Sequence, residues 1–176
     1  MMRKFKRIDL TNATEDYFLR VGEEAYISFS DVTQVPLHIA TQDGTYYEMH
    51  IIAGNVGGTS GAALGYIFLC PNNQTYSNAF YSALMWRSGS SHSSSYIYKS
   101  GFVLASYYSN ILTWITNRTQ YKNTRSFLDL YGYSDTYPNV RFTSSDWRDT
   151  TTEWTSLGTV SFPQSTSGEI LVRRLK

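Results

Sequence analysis

Short runs of aromatic and β-branched residues recur along the whole chain, and clusters of Gly, Pro, Asn and Ser separate them. Such runs favour strands, and the clusters between them favour turns. We predict strands at residues 5–10, 17–21, 25–30, 35–41, 45–53, 65–70, 79–86, 96–105, 112–116, 126–133, 140–143, 157–162 and 169–175. Short strands joined by turns are typical of sandwiches and barrels. The sequence therefore predicts an all-β fold with a single domain over residues 1–176.

One segment leaves two interpretations open. In residues 105–118, Tyr108, Ile111, Leu112 and Ile115 fit the buried face of a helix as well as a strand. The β-branched residues of this segment favour the strand, but the pattern alone does not decide between the two.

The composition favours a contact surface over an active site. Tyrosine accounts for 15 of the 176 residues, whereas Asp, Glu, Lys and Arg together make up only 16 %. Charged residues usually make up about a quarter of a soluble domain. Ser, Thr and Asn provide the solvated surface instead, and tyrosine supplies large, rigid contact area. We therefore predict a binding or assembly domain and not an enzyme.

Charge and hydropathy exclude several classes of partner. The formal net charge is only +1 and the basic runs at residues 3–7 and 173–176 are short, so we predict no nucleic-acid partner. No apolar run follows the basic start, and none has the length of a membrane span. The sequence thus predicts no signal peptide, no membrane insertion and synthesis in a cytoplasm.

Cofactor and metal signals are equally weak. Cys70 is the only cysteine, which excludes a disulfide within the chain and argues against a cysteine-based metal site. The glycine-rich residues 54–61 lead into another predicted strand, whereas a phosphate-binding loop would open a helix. We predict no cofactor.

Residues 35–53 predict a β-hairpin. If Gln42, Asp43 and Gly44 form its loop, with Gly44 in the left-handed conformation, one face of the hairpin is wholly apolar. The facing pairs are then Leu37 with Met49, Ile39 with Tyr47 and Val35 with Ile51.

The same register sets His38 opposite Glu48, with His50 two residues along. The ordinary interpretation is an exposed cross-strand ion pair, and the alternative is a weak metal or acid–base site formed by these three residues. No nucleophile or further ligand stands nearby, so we predict no metal site here.

A serine tract at residues 88–95 predicts a loop between two strands. Ser and Tyr together form adaptable recognition surfaces in other binding proteins. Trp86, His92 and Tyr96 are the candidates for such a recognition loop.

Aromatic and acidic residues cluster near the end of the chain. A sugar site uses an exposed ring against the apolar face of the sugar and carboxylates for its hydroxyl groups. Packing in the core is the ordinary use of a tryptophan, and sugar contact is the alternative. The candidate carbohydrate-binding residues are Trp147, Trp154, Tyr131, Tyr133, Tyr137, Asp146 and Asp149.

Residues 154–176 form a predicted strand, polar turn and strand. This unit resembles the closing hairpins of small phage virion proteins, tail-fibre tips in particular. The resemblance implies an antiparallel β-sandwich of the jelly-roll kind, assembly as a homotrimer, and attachment to a virion or to a host glycan. It carries no binding residue over to this chain.

Three functional hypotheses follow. The first is a non-enzymatic phage virion protein, structural or receptor-binding, that self-assembles and contacts other virion proteins or a host surface glycan. The second is a free-standing carbohydrate-binding module, which requires exposed rings near Trp147 and Trp154. The third is a glycan hydrolase, which requires two carboxyl groups that converge in a groove.

Overall fold

The computed structural model describes residues 5–54, 66–73, 80–88, 91–99, 101–106, 110–119, 122–130, 139–149 and 151–176. These residues contain eleven strands and one short 3-10 turn, Pro71–Asn73, and no α-helix, which confirms the all-β prediction. The strands are β1 (Lys6–Asp9), β2 (Glu23–Pro36), β3 (Thr45–Gly54), β4 (Tyr66–Cys70), β5 (Phe80–Ser88), β6 (Ser91–Lys99), β7 (Phe102–Ser106), β8 (Asn110–Asn117), β9 (Lys122–Leu130), β10 (Asn139–Trp147) and β11 (Thr159–Arg174).

The strands form one mixed sheet in the order β1-β2-β11-β3-β8-β9-β10-β5-β6. Only the β1–β2 pair is parallel among the described strands. The remaining strands, β4 and β7, pair with each other, and β4 also pairs with β11.

β11 organises this arrangement. One of its edges runs beside β2, and the other pairs with β4 at residues 159–161 and with β3 at residues 167–174. The register with β2 shifts between these two parts, which lets the strand bend. The strand therefore joins the β4–β7 pair to the main sheet, and β7 lies against β9 and β10.

The core consists of apolar side chains from the main sheet and from the β4–β7 pair. In β3, Tyr47, Met49 and Ile51 are fully buried and alternate with partly or fully exposed residues, which is the period of a strand with one buried face. Phe102 and Leu104 of β7 are also fully buried. The buried set further includes Leu19, Leu37, Ile39, Ile67, Leu69, Ile111, Leu157, Val160, Ile170 and Val172.

The predicted hairpin at residues 35–53 is wrong. β3 pairs with β11 and β8. Val35 and Pro36 end β2 and also pair with β11, and residues 37–44 make only isolated bridges, such as that of Ile39 with Tyr17. Pro36 lacks an N–H for the ladder, and His38 has a φ of +51°, so the chain leaves the strand there. The left-handed conformation predicted for Gly44 is confirmed, with a φ of +81°.

The predicted strand at residues 17–21 is also absent. The carboxylate of Glu23 accepts hydrogen bonds from the Arg20 amide at 2.9 Å and the Tyr17 hydroxyl at 3.1 Å. These bonds fold the segment around Glu23, and only Tyr17 forms a bridge.

Other strand boundaries also differ from the prediction, and one open interpretation is resolved. Residues 96–105 belong to two strands, β6 and β7, whereas the two strands predicted within 157–175 are one continuous strand, β11. The segment 105–118, whose sequence fits a helix as well as a strand, contains a strand, because residues 110–117 form β8.

The serine tract is largely strand and not loop. β5 and β6 pair up to Ser88 with Ser91, so only residues 89–90 separate them, and these two lie outside the described part. Backbone pairing with β5 places β6 at the end of the sheet.

Candidate functional site

Three loops that are distant in sequence meet at a polar cleft of about 220 Å³. They connect β2 to β3, β8 to β9, and β10 to β11. The cleft is lined by Thr41, Gln42, Asp43, Asn117, Thr119, Lys122, Thr151, Thr152, Glu153, Trp154 and Thr155.

Asp43 joins the first loop to the second. Gly44 turns the chain, which leaves the Asp43 carboxylate to accept a hydrogen bond of 2.5 Å from the Thr119 amide. Hydrogen bonds from the Thr119 side chain and amide lower the pKa of Asp43 below its usual value. The carboxylate thus acts as a fixed acceptor that sets the distance between two walls of the cleft.

Asn117 ties all three loops together from inside. Its side chain is buried and donates to the Trp154 carbonyl at 2.8 Å and to the Thr41 hydroxyl at 3.2 Å. The Thr41 hydroxyl lies 2.7 Å from that of Thr45 at the start of β3. Because these bonds join distant segments, the walls of the cleft are held in place without a ligand.

Lys122 is a buried cation at the base of the cleft. Its side chain is only 6 % exposed, and its ammonium group donates to the carbonyls of Thr152 and Asp149. The ammonium also lies 4.5 Å from the centre of the Trp147 ring. Burial lowers the pKa of Lys122, while the carboxylates of Asp149, Glu153 and Asp43 act in the opposite direction.

Asp149 shapes the third loop. Its carboxylate accepts hydrogen bonds from the amides and hydroxyls of both Thr151 and Thr152. These bonds, with that from the Thr152 hydroxyl first, hold the pKa of Asp149 well below its usual range. The sequence makes Asp149 a candidate for sugar contact, and in the structure its carboxylate organises the loop.

The two tryptophans of the carbohydrate prediction pack in the core. Trp147 is 5 % and Trp154 is 2 % exposed, and their rings meet edge to face with centroids 6.1 Å apart. Trp154 also contacts Phe102 of β7, and its indole N–H donates to the Ser156 carbonyl at 2.6 Å. Neither ring offers an open face for stacking, although Trp154 lines part of the cleft.

Asn72 braces the third loop from the outside. Its side-chain oxygen accepts from the amides of Thr155 and Ser156 at 2.9 and 3.0 Å, and its side-chain nitrogen donates to the Glu153 carbonyl at 2.8 Å. The amide group therefore pairs with the loop as a neighbouring strand would, which fixes the backbone of the cleft wall.

The other predicted carbohydrate residues do not join the cleft. Asp146 is partly buried on β10 and does not line it. Tyr131, Tyr133 and Tyr137 lie outside the described residues.

The candidates for the recognition loop lie on strands. Trp86 pairs with Ser93, whereas His92 pairs with Arg87 and Tyr96 with Ala83. The three candidates therefore lie in paired strands and not in a connecting loop.

The predicted contact between His38 and Glu48 is wrong, because the hairpin that would create it does not form. His38 has its Nδ1 atom 3.7 Å from the carboxylate of Asp16, while Glu48 pairs with Arg173 at 3.1 Å. His50 lies on β3 between Leu112 and Leu171. Within the described ranges, no group of three or more His, Cys, Asp and Glu side chains could hold a metal ion.

Sequence reasoning missed most of the cleft. It treated Gln42 and Asp43 only as a turn, and it did not select Asn117 or Lys122. The sequence identifies the Asp-Gly turn and the polar residues after β8 as loops. No local sequence pattern indicates that these loops contact each other in the fold.

Two side chains of the lining are available to a ligand. Gln42 and Glu153 are exposed and make no side-chain hydrogen bond with any described residue. An amide both donates and accepts, and a carboxylate accepts from hydroxyl groups. With the threonine hydroxyls between them, they form a surface suited to a ligand that carries several hydroxyl groups.

No protein-family model, curated protein or solved structure matches this chain. In the described ranges, no helix has the length and hydropathy needed to cross a bilayer.

Proposed function

We propose that this chain is a non-enzymatic phage virion protein that self-assembles and attaches to a glycan on the host surface. The virion context rests on the sequence of residues 154–176 alone, because these residues resemble phage virion proteins in sequence, but residues 159–174 form one continuous strand, β11, and not a hairpin. The observation that carries the attachment role is the hydroxyl-lined and amide-lined cleft, with Gln42 and Glu153 free to bind.

The chemistry of the cleft fits a sugar ring. Each sugar hydroxyl donates one hydrogen bond and accepts others. The hydroxyls of Thr151, Thr152 and Thr155 donate within the protein and can still accept, while the Gln42 amide can both donate and accept. The bonds of Asn117 and Asp43 fix the walls before a ligand arrives, so binding orders few side chains. A volume of about 220 Å³ is small for a ligand site, which suits one ring of a polymer.

The lowered pKa values of Asp43 and Asp149 favour structural roles for these two carboxylates. A glycan hydrolase needs one carboxyl group that holds a proton near neutral pH. Asp43 and Asp149 have pKa values below the usual range because they accept several hydrogen bonds. They are therefore suited to be structural acceptors.

A free-standing carbohydrate-binding module is the second candidate, since the same cleft would serve it. The two roles differ in assembly. The resemblance to tail-fibre tips implies a homotrimer and a jelly-roll sandwich, whereas a free-standing module needs no partner copy. Light scattering against the monomer mass of 20.1 kDa distinguishes them.

An array of purified bacterial surface polysaccharides tests the attachment role. We expect Glu153→Gln and Gln42→Ala to weaken binding by roughly tenfold each, the effect of losing one hydrogen bond to a ligand. Glu15→Gln and Gln34→Ala, which change exposed residues outside the cleft, are the matched controls and should bind as the wild type does. If no polysaccharide is retained, or if a bound one is cut, the proposal is wrong.

A further inference from the structure

One face of the main sheet points away from the core across β2, β11, β3 and β8. Glu48, His50 and Ile52 alternate with the buried residues of β3, so they lie on this outward side. Across the ladder, His50 pairs with Leu112 on one neighbour and Leu171 on the other. The face is therefore continuous over at least three adjacent strands.

This face exposes large apolar side chains. Trp114 is 43 % and Ile52 is 40 % exposed, and the partly buried Leu112 and Leu171 lie on the same side. We call these four residues the outer patch. All four belong to hydrogen-bonded strands, so they are held in place and would lose little freedom on contact with a partner.

A row of charges with alternating sign borders the outer patch. Arg7, Glu24, Arg173 and Glu48 follow one another on β1, β2, β11 and β3. The consecutive distances between their charged groups are 3.2, 2.6 and 3.1 Å. The side chains of Arg7 and Arg173 are 59 % and 37 % exposed, and that of Glu48 is 25 % exposed.

We propose that another copy of this chain covers the outer patch. The side chain of Glu24 is only 7 % exposed, so the row presents Arg7 and Arg173 towards one end and Glu48 at the other. In a copy that is reversed along the row, Arg7 of each copy lies opposite Glu48 of the other. A partner with charges of a single sign would face repulsion at one end of the row. The net charge of +1 adds almost no repulsion between copies. Trp114 is then the aromatic anchor of the contact.

This inference rests on the self-association in the proposed function and is independent of the glycan. Size-exclusion chromatography with light scattering, over a range of protein concentrations, measures it. We expect Trp114→Ser and Ile52→Ser to weaken self-association by roughly tenfold or more, as the loss of a central anchor does. Val21→Ser removes a side chain outside the patch that is even more exposed, at 61 %, and should leave the assembly unchanged.

The outcomes separate the two proposals. A monomeric wild type overturns self-association altogether. Glycan binding is measured independently on the polysaccharide array, so its outcome does not depend on this result. An oligomer that both serine variants retain overturns the outer patch alone. Circular dichroism of each variant shows that it remains folded.

Protection of an introduced thiol gives a second test. Cys70 is buried and its pKa is raised to about 11 by burial, so it does not compete for a maleimide near neutral pH. We expect Ile52→Cys to react more slowly as the protein concentration rises, and Val21→Cys to react at a constant rate. Equal reactivity of Ile52→Cys at all concentrations contradicts the proposal.

Discussion

The ammonium group of Lys122 lies 4.5 Å from the centre of the Trp147 ring, at the point where the cleft meets the core. The same group donates to two carbonyls of the β10–β11 loop. One side chain therefore links the packing of the tryptophans to the shape of the cleft wall.

Lys122→Met keeps the length of this side chain but removes its donors, so the Thr152 and Asp149 carbonyls lose a partner. We expect a loss of about 1–3 kcal/mol in the free energy of unfolding, measured by urea denaturation. Lys176→Met is the control, because that ammonium lies 5.8 Å from the Tyr46 ring centre on an exposed residue. It should change stability by less than about 0.5 kcal/mol, and an equal loss in both variants would contradict the role assigned to Lys122.

Asp149→Ala should destabilise the protein by about 1 kcal/mol near neutral pH, the typical cost of losing a side-chain acceptor that caps a turn. The folded-state pKa of Asp149 is lowered by hydrogen bonds from Thr152 and Thr151, so its contribution is complete above the unfolded pKa of about 3.9. It is lost as the pH falls through the lower, folded value.

The difference in melting temperature between the wild type and Asp149→Ala should therefore narrow below about pH 4. Glu15→Ala removes an exposed carboxylate and controls for the change in net charge. A gap that stays constant down to pH 2 would mean that the hydrogen bonds do not depend on the ionised carboxylate.

Gly158 and Gly22 form a matched pair for a test of close packing. Both have a positive φ, +85° and +90°, but a Cβ on Gly158 would lie 1.9 Å from the Cys70 carbonyl, whereas Gly22 has open space. Gly22→Ala should cost about 1–2 kcal/mol from the left-handed conformation alone. Gly158→Ala must also displace the backbone of β4, so we expect a clearly larger loss in thermal stability than for Gly22→Ala. Similar losses in the two variants would show that the short distance between Gly158 and the Cys70 carbonyl does not limit the residue at this position.

Asn72 and Asn73 allow the brace on the β10–β11 loop to be isolated. Both residues have a φ near +55°, so replacement by glycine removes the side chain without adding backbone strain. Asn72→Gly loses bonds to three residues of the loop and should cost about 2 kcal/mol, while Asn73→Gly loses the bond from the Thr159 hydroxyl and should cost about 1 kcal/mol or less. Chemical denaturation ranks the two, and the reverse order would contradict the brace.

The sequence predicted strands where aromatic and β-branched residues cluster, because this preference is local. It also identified the turn at Gly44 correctly. It failed on the partner of β3, since Ile51 pairs with Ile170 and Ile111, which are far away in sequence. The apolar pattern of β3 fits any apolar neighbour, so only the three-dimensional fold selects between a local hairpin and two distant strands.

The candidate site was harder to predict for a related reason. The tryptophans near the end of the chain were identified, but composition does not distinguish a buried ring from an exposed one, and both are buried. Asn117 and Asp43 are ordinary polar residues within their own loops. Their roles depend on contacts of Asn117 with Trp154 and of Asp43 with Thr119, which span 37 and 76 residues, so sequence proximity reveals neither.

Because β11 is the last strand in the sequence and lies between β2 and β3, we expect the sheet to be completed late in folding. The bond between Arg173 and Glu24 spans 149 residues, and β3 depends on the same late strand for one of its edges. Until β11 arrives, β2 and β3 each keep an unpaired edge that can capture another chain. Such long loop closures make folding slow, in the range of milliseconds to seconds for β proteins of high contact order. A chain that lacks β11 would therefore expose two unpaired strand edges, which favour aggregation. The yield of native protein should then depend on how quickly β11 is synthesised and pairs with β2 and β3.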